Sequence, residues 1–381
     1  MFDYKIDLKI IQEGFDGETC WVQFRAGAIP PRLPDTDPQV VAVMQQLYLK
    51  GSDVFGGLNT LRSKDLGKSW TGPIVEDVFK RKKLSNDTEI GINDFTPKWH
   101  KQTGVLLGTG HNVRYKGFHI MPNPRPRDVT YGVYNEATEK WNPPKILKLP
   151  DDEIFFSVGA GSTQRVDLAD GTILLPVYCK RSGGMEMFSM IMRCSFDGET
   201  LKYIESGNYI SISGRGVGEP SLVEFAGKYF LTLRNEFIGY VCTSDDGLNF
   251  GKVKPWCFDD GEWLGNYHTQ QHWVKRGDQS LYLVYTRRGA DNDNAFRHRA
   301  PLFIAQVDPN KLCIIRDTEQ VLVPNRGARL GNFAVCEVSD KEVWVTVTEW
   351  MQTIAPNHRD YTVCQKYGSN NAIFVAKIIW E

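Results

Sequence analysis

Apolar and polar residues alternate along most of the chain in short runs, and helical spacing is nearly absent. The runs are rich in β-branched and aromatic residues and are bounded by Gly, Asp, Asn and Pro, which predicts strands joined by tight turns. QRVDLADGTILLPVY (164–178), SLVEFAGKYFLTLRNE (221–236), HWVKRGDQSLYLVYTRR (272–288) and FAVCEVSDKEVWVTVTEW (333–350) each read as a strand, a short polar turn and a second strand. WHKQTGVLLGTGHNVRY (99–115) has the same form, and WVQFRAGAIP (21–30) pairs with VVAVMQQLYLK (40–50) across a Pro-rich loop. A third apolar run follows each hairpin, as in 129–141, 189–201, 238–250 and 302–313. The unit recurs about every 50–70 residues, the spacing of a propeller blade rather than of two packed sandwiches. The pattern predicts an all-β, six-bladed β-propeller with four antiparallel strands per blade, one domain over 1–381. The last unit lacks a strand, which YKIDLKII (4–11) supplies from the N-terminus, so that no sheet edge is left free.

Composition changes this picture little. The formal net charge of −1 gives no global field toward nucleic acid or an anionic membrane, so neither is expected as a partner. There is no long apolar run to span a bilayer. MFDYKIDLKII carries no basic segment followed by an apolar one, so a cytoplasmic location is the default expectation, and a secreted or periplasmic one follows if a leader has been removed. The eight cysteines are scattered without a CxxC pair, which speaks for buried thiols rather than zinc or redox chemistry. No metal and no cofactor is expected: GTGHNV (108–113) lacks the helix that a phosphate-binding loop needs.

RSKDLGKSW (62–70) places Ser63, Asp65, Gly67 and Trp70 at the spacing S-x-D-x-G-x-x-W, and TSDDGLNF (243–250) places Thr243, Asp245, Gly247 and Phe250 at the same offsets. FDGET (15–19) and SFDGETL (195–201) look like shortened forms. Short polar side chains that bond nearby backbone, a glycine for the left-handed turn and an aromatic for packing make a self-contained turn. The spacing resembles the Asp box of the sialidase (BNR repeat) superfamily. That resemblance implies a propeller with these turns on its rim, away from the active site.

The resemblance also directs attention to the channel ends of the innermost strands. Arg25, in FRAGAIP, resembles the first of three arginines that bind the substrate carboxylate in sialidases, with an Ala-Gly-Ala insertion before Ile-Pro. Arg234, closing LTLRNE, matches the second, and Arg299 in FRHRAPLF is preferred over Arg297, Arg287 and Arg288 for the third. Glu219 in GVGEPSL stands where the family keeps an activating Glu, and Asp53 in KGSDVF stands near its acid/base Asp. The family's nucleophilic Tyr is missing, because that place reads Gly331-Asn332-Phe333; Tyr178, Tyr267 or a carboxylate would have to replace it. Asn332 and Gln164, at strand starts, are read as further substrate contacts. His111 and His268 fall at predicted channel-facing strand ends, where an imidazole can act as acid or base. Related propeller lyases use His and Tyr to cleave beside a uronate. The expectation is an exo-acting glycosidase that removes a terminal acidic sugar from a glycan. A lyase acting beside a uronic acid and a non-catalytic glycan-binding propeller are the alternatives.

Overall fold

The structure is a computed structural model that describes residues 3–34, 36–51, 53–85, 87–353 and 360–381. It is all-β, a β-propeller in which strands carry nearly all the regular structure and the single α-helix is the short Thr362–Lys366. Among the described residues no helix is long and apolar enough to cross a membrane.

Among the described residues, six antiparallel sheets follow one another along the chain. Their innermost strands are Thr19–Ile29, Thr88–His100, Ser157–Gly159, Gly218–Phe225, His272–Arg276 and Arg329–Ser339. Each sheet runs outward from there by hairpins, as in Thr19–Ile29, Gln39–Tyr48, Phe55–Ser63 and Thr71–Val75 of the first. In the sixth sheet the outermost strand is Tyr4–Gln12, paired antiparallel with Ile373–Trp380, so the two ends of the chain meet in one sheet. Apolar side chains fill the seams between neighbours. Phe24, Trp344 and Val375 lie between the first and sixth sheets, and Phe79, Phe95 and Trp141 between the first and second. These two-sided seams explain why the strands read as nearly continuous apolar runs.

The polar turns are self-contained, as their sequence suggests. Ser63 Oγ donates to Asp65 Oδ1 (2.8 Å) and accepts from Gly67 N (2.8 Å), while Asp65 accepts from Ser69 N and Ser69 Oγ. Those donors hold the Asp65 carboxyl down at about 2. Gly67 has φ +76°, and Trp70 packs edge-on to Phe24 with ring centroids 5.6 Å apart. The second turn is corrected by one residue. Ser244 and Asp246, not Thr243 and Asp245, make its bonds: Ser244 Oγ donates to Asp246 (2.8 Å) and accepts from Gly247 N (2.9 Å), and Asp246 accepts from Leu248 N and Asn249 N. Offsets of Thr243 mimic the first box, but Thr243 lies in the strand and Asp245 is fully solvated. The hairpin expected at 164–178 is also altered. Only Val166–Asp167 pairs there, and the strand is interrupted before it, around Gly161 and Ser162.

Four innermost strands share one irregularity. Between Val22 and Arg25, Asn93 and Thr96, Gly218 and Ser221, and Gly331 and Ala334, two residues face one on the partner strand. Such bulges bend a strand and re-aim a side chain. The first residue of each pair is polar: Gln23, Asp94, Glu219 and Asn332. The second is Phe24, Phe95, Pro220 or Phe333, all buried. The four polar residues line one central cavity, while the three phenylalanines enter the seams.

Candidate active site

The cavity has a volume of about 460 Å³ and is polar, with seven arginines and one lysine in its lining against four carboxylates. Its floor is organised by Asp94. Oδ1 of this buried carboxylate accepts from Arg25 Nη2 (2.6 Å), Ser162 Oγ (2.7 Å) and Asn332 Nδ2 (3.1 Å), and its backbone N–H donates to Gln23 Oε1 (3.1 Å). Burial opposes the Asp94 charge, but Arg25 and His111 beside it prevail and hold the carboxyl below its usual range. Gln23, Asp94 and Ser162 all have positive φ, as do Asp53, Glu219, Arg297 and His268. Non-glycine residues in this region cost about 1 kcal/mol or more each, and such strain is held in place where surrounding contacts over-determine it.

Above the floor, the His111 ring lies against Asp94 (Nε2 to Oδ2, 3.8 Å) and Tyr178 (Nδ1 to the phenol oxygen, 3.5 Å). His111 reaches this place because nothing else fills it: a Cβ on Gly161 would lie 2.4 Å from His111 Nδ1 and 2.3 Å from Asp94 Cβ. Burial, then the Arg127 charge, pushes the His111 pKa down to about 3, so the imidazole is neutral at pH 7. Burial pushes the Tyr178 phenol up, and the Arg127 guanidinium stands 5.2 Å from its ring centroid.

Glu219 and Arg234 form an ion pair at 2.5 Å, yet Glu219 Oε2 is buried without a partner. Burial works against the Arg234 charge, and Glu219 more than offsets it, so the Arg234 pKa is raised. Arg299 Nη2 donates to the His268 carbonyl, and its Nε is buried and unpartnered. Burial, together with the neighbouring Arg234, Arg329 and Arg297 charges, takes the Arg299 pKa well below its ordinary value. Arg329 is pushed down to about 10, mainly by burial. An anion in the cavity would relieve this crowding.

Of the residues singled out in the sequence, Asp53, His111, Glu219, Arg234, Arg299 and Asn332 line the cavity. Three do not. Arg25 is 1% exposed and lies behind the floor, spent on Asp94, Ser162 and Thr96, so a carboxylate in the cavity meets the Asp94 network rather than the Arg25 guanidinium. Gln164 turns away: its amide donates to Trp273 O (2.8 Å) and accepts from Trp273 N (2.7 Å), tying two sheets together. His268 stands at the wall, 3.8 Å from Glu236, with burial and the Arg297 charge pushing it down to about 3. Tyr267 bonds His298 Nδ1 at 2.5 Å, outside the lining. Sequence reasoning missed Asp94, Arg125, Arg127, Arg215, Arg329 and Glu236. Two of these carried a signal: NPRPRD (123–128) has prolines that hold an extended backbone, so Arg125 and Arg127 share one side. No group of three or more His, Cys, Asp or Glu side chains converges as a metal site among the described residues.

No family model matches the chain, and no curated protein does either. Solved structures do match. A protein of unknown function from Dyadobacter fermentans superposes over 98% of this chain and 99% of its own, with TM-score 0.63 and 15% identity. The fold is that of the sialidases. Trypanosoma rangeli sialidase matches over 93% of this chain with TM-score 0.59 and 15% identity, and Streptococcus pneumoniae NanB sialidase over 97% with TM-score 0.62 and 13% identity. The chain spans about half (55%) of the Trypanosoma enzyme and 70% of NanB. At these identities the sialidase-like likeness concerns the path of the backbone, and the chemistry rests on the cavity itself.

Proposed function

We propose that the chain is one six-bladed propeller domain over 1–381, and that it is a sialidase-like glycoside hydrolase removing a terminal acidic sugar from a glycan. The observation that carries this reading is the convergence of Arg234, Arg297, Arg299 and Arg329 beside Glu219 and Asp53 in one cavity. Planar guanidiniums with buried unpartnered N–H groups suit a carboxylate, and they take it bidentately where lysine cannot. Asp53 then protonates the leaving glycosidic oxygen, and Glu219 supplies the activating carboxylate. Asn332 occupies the place of the family's Tyr, so the phenol of Tyr178 takes the role of nucleophile. Its proton passes to neutral His111, and Asp94 stabilises the imidazolium that forms. The sugar's anomeric carbon gains the Tyr178 oxygen as it loses the leaving group, and water later releases it.

The same Asp94–His111–Tyr178 line favours a second reading, β-elimination beside a uronic acid. There neutral His111 removes the proton alpha to the carboxylate, the arginines hold the developing enolate, and the Tyr178 phenol gives its proton to the leaving oxygen. A screen of terminal sialyl, uronyl and neutral glycosides decides between them. Hydrolysis adds the mass of one water and gives no ultraviolet absorbance, whereas elimination adds none and leaves an absorbing unsaturated product. Under hydrolysis, Asp53→Ala and Glu219→Gln each abolish turnover, and Arg234→Lys mainly weakens binding. Retention of an acidic glycan with no product over long incubation would remove both enzyme readings and leave a glycan-binding propeller.

A further inference from the structure

We infer that the cavity takes a ligand carrying two separate anionic groups, one held by Arg297, Arg299 and Arg329 and the other by Arg125, Arg127 and Lys180. This rests on the acidic-sugar reading above and extends it to the substrate's second charge. The first set comes from the fifth and sixth sheets: Arg297 and Arg299 lie in the connection ahead of strand Leu302–Asp308, and Arg329 opens strand Arg329–Ser339. The second set comes from the other side of the ring. Arg125 and Arg127 precede strand Val129–Asn135 of the second sheet, and Lys180 ends strand Ile173–Lys180 of the third. A Cβ on Gly159 would lie 3.0 Å from Arg127 Nη1, which seats that guanidinium against the third sheet.

Six cations face few carboxylates here: Asp53 is the cavity carboxylate whose charge acts on Arg297, Arg329 and Arg125. The other three carboxylates of the cavity are committed elsewhere, Glu219 to Arg234, Glu236 to Arg215 and Asp94 to Arg25, which leaves Asp53 facing six cations. The bonds the six do make are few. Arg125 Nη1 donates to Met121 O at 2.6 Å and Arg329 Nη2 to Gln352 Oε1 at 3.1 Å, while the Nε atoms of Arg125, Arg127, Arg299 and Arg329 are buried and unpartnered. Like charges crowd each set. Burial followed by Arg127 pushes Arg125 down to about 10, and Lys180 is lowered by burial and then by Arg215, Arg127 and Arg125. Arg299 is lowered by burial and then by Arg234, Arg329 and Arg297. One carboxylate accepts a fork from one or two guanidiniums and leaves the opposite set uncompensated in a partly desolvated cavity. A second anion on the same ligand compensates it. A sulfate ester and a second carboxylate share the required chemistry, an exposed group of anionic oxygens.

The test is calorimetric titration of the intact protein with three probes: glucuronic acid, a sulfated glucuronic acid, and a disaccharide of two uronic acid units. At least one doubly charged probe binds at least about tenfold more tightly than glucuronic acid. That gain disappears in the Arg125→Gln, Arg127→Gln double variant, while affinity for glucuronic acid itself changes less than about threefold. A gain with the sulfated sugar alone assigns a sulfate to the second set, and a gain with the disaccharide alone assigns a carboxylate. Equal affinity for all three probes, or a gain that survives the double variant, overturns the proposal. Should the double variant fail to melt cooperatively, Lys180→Met in the same comparison decides. The acidic-sugar reading fails separately, if Arg299→Gln leaves glucuronic acid binding unchanged or if no acidic probe binds at all.

Discussion

Acidification from pH 7 to pH 5 should destabilise the fold by at least about 4 kcal/mol, through histidines that burial keeps neutral, above all the fully buried His111 and His272, with His268 adding to them. His111 and His272 are each pushed down to about 3, in both cases chiefly by burial. His272 is a satisfied core histidine: its Nδ1 accepts from Ser221 Oγ (2.7 Å) and its Nε2 donates to Phe333 O (3.0 Å), with the ring edge-on to Phe333. In the unfolded chain each imidazole binds a proton near 6.5, whereas the folded state refuses it until about 3. The unfolded state therefore binds more protons across this window. The stabilisation is whole above the unfolded value and is lost as the pH falls from there toward the folded one. At pH 5 an unfolded histidine with a value of 6.5 is almost fully charged, which amounts to about 2 kcal/mol per residue relative to pH 7. The result is insensitive to how deep the folded value lies, because 3 and 4 both leave the ring neutral at pH 5. Carboxylates that are held low, such as Asp94 and Asp167, act mostly below this window. Glu349 and Glu76, which burial raises, oppose the loss slightly. Urea unfolding at the two pH values measures the difference directly. His272→Gln, outside the cavity, should remove about 2 kcal/mol of it. A stability that stays within about 1 kcal/mol between pH 5 and 7 would refute the claim that these rings are neutral and desolvated.

Two further changes separate the rim from the cavity. Ser63→Ala removes the acceptor for the Gly67 N–H and a donor to Asp65 in a buried turn position, and should cost about 1–2 kcal/mol in urea unfolding while kcat/KM stays unchanged. Gly161→Ala places a Cβ inside contact distance of both His111 and Asp94. It should lower kcat/KM by about 100-fold, since displacement of a reacting group by about 1 Å costs that much. Full activity in this variant would remove His111 from the chemistry.

Much of the backbone was legible from the chain because it is set by period-two patterning and by turns whose bonds are local. The hairpin 221–236 and the closing strand at the N-terminus follow from alternation alone, and the Ser63 turn is written in nine consecutive residues. The same locality explains the one-residue error at 243–250. The offsets of Thr243 and Ser244 differ only in which residue ends the strand, and that depends on pairing with Lys228–Arg234. Arg234 and Arg299 were readable as cavity residues because each sits at a strand end or in the loop after one. Arg25 was misplaced for a non-local reason. Its position in the strand is right, but the bulge at Gln23 and Phe24 shifts the register, so its guanidinium runs behind the floor to Asp94, 69 residues away.

The bulges connect the fold to the site. A regular innermost strand alternates a seam residue with its opposite and offers the channel no more than its end. Inserting one residue lets a polar side chain enter the channel while the next, usually Phe, fills the seam. The sequence signature is a polar residue followed by Phe or Pro near the start of the strand: Gln23-Phe24, Asp94-Phe95, Glu219-Pro220 and Asn332-Phe333. Read this way, the missing Tyr beside Gly331 is part of a wider rearrangement. Asn332 donates to Asp94 and Ser162, so its position serves the floor and not the reacting carbon. Tyr178, on the second strand of the third sheet, brings its phenol to the cavity beside His111, for which the missing side chain at Gly161 leaves room.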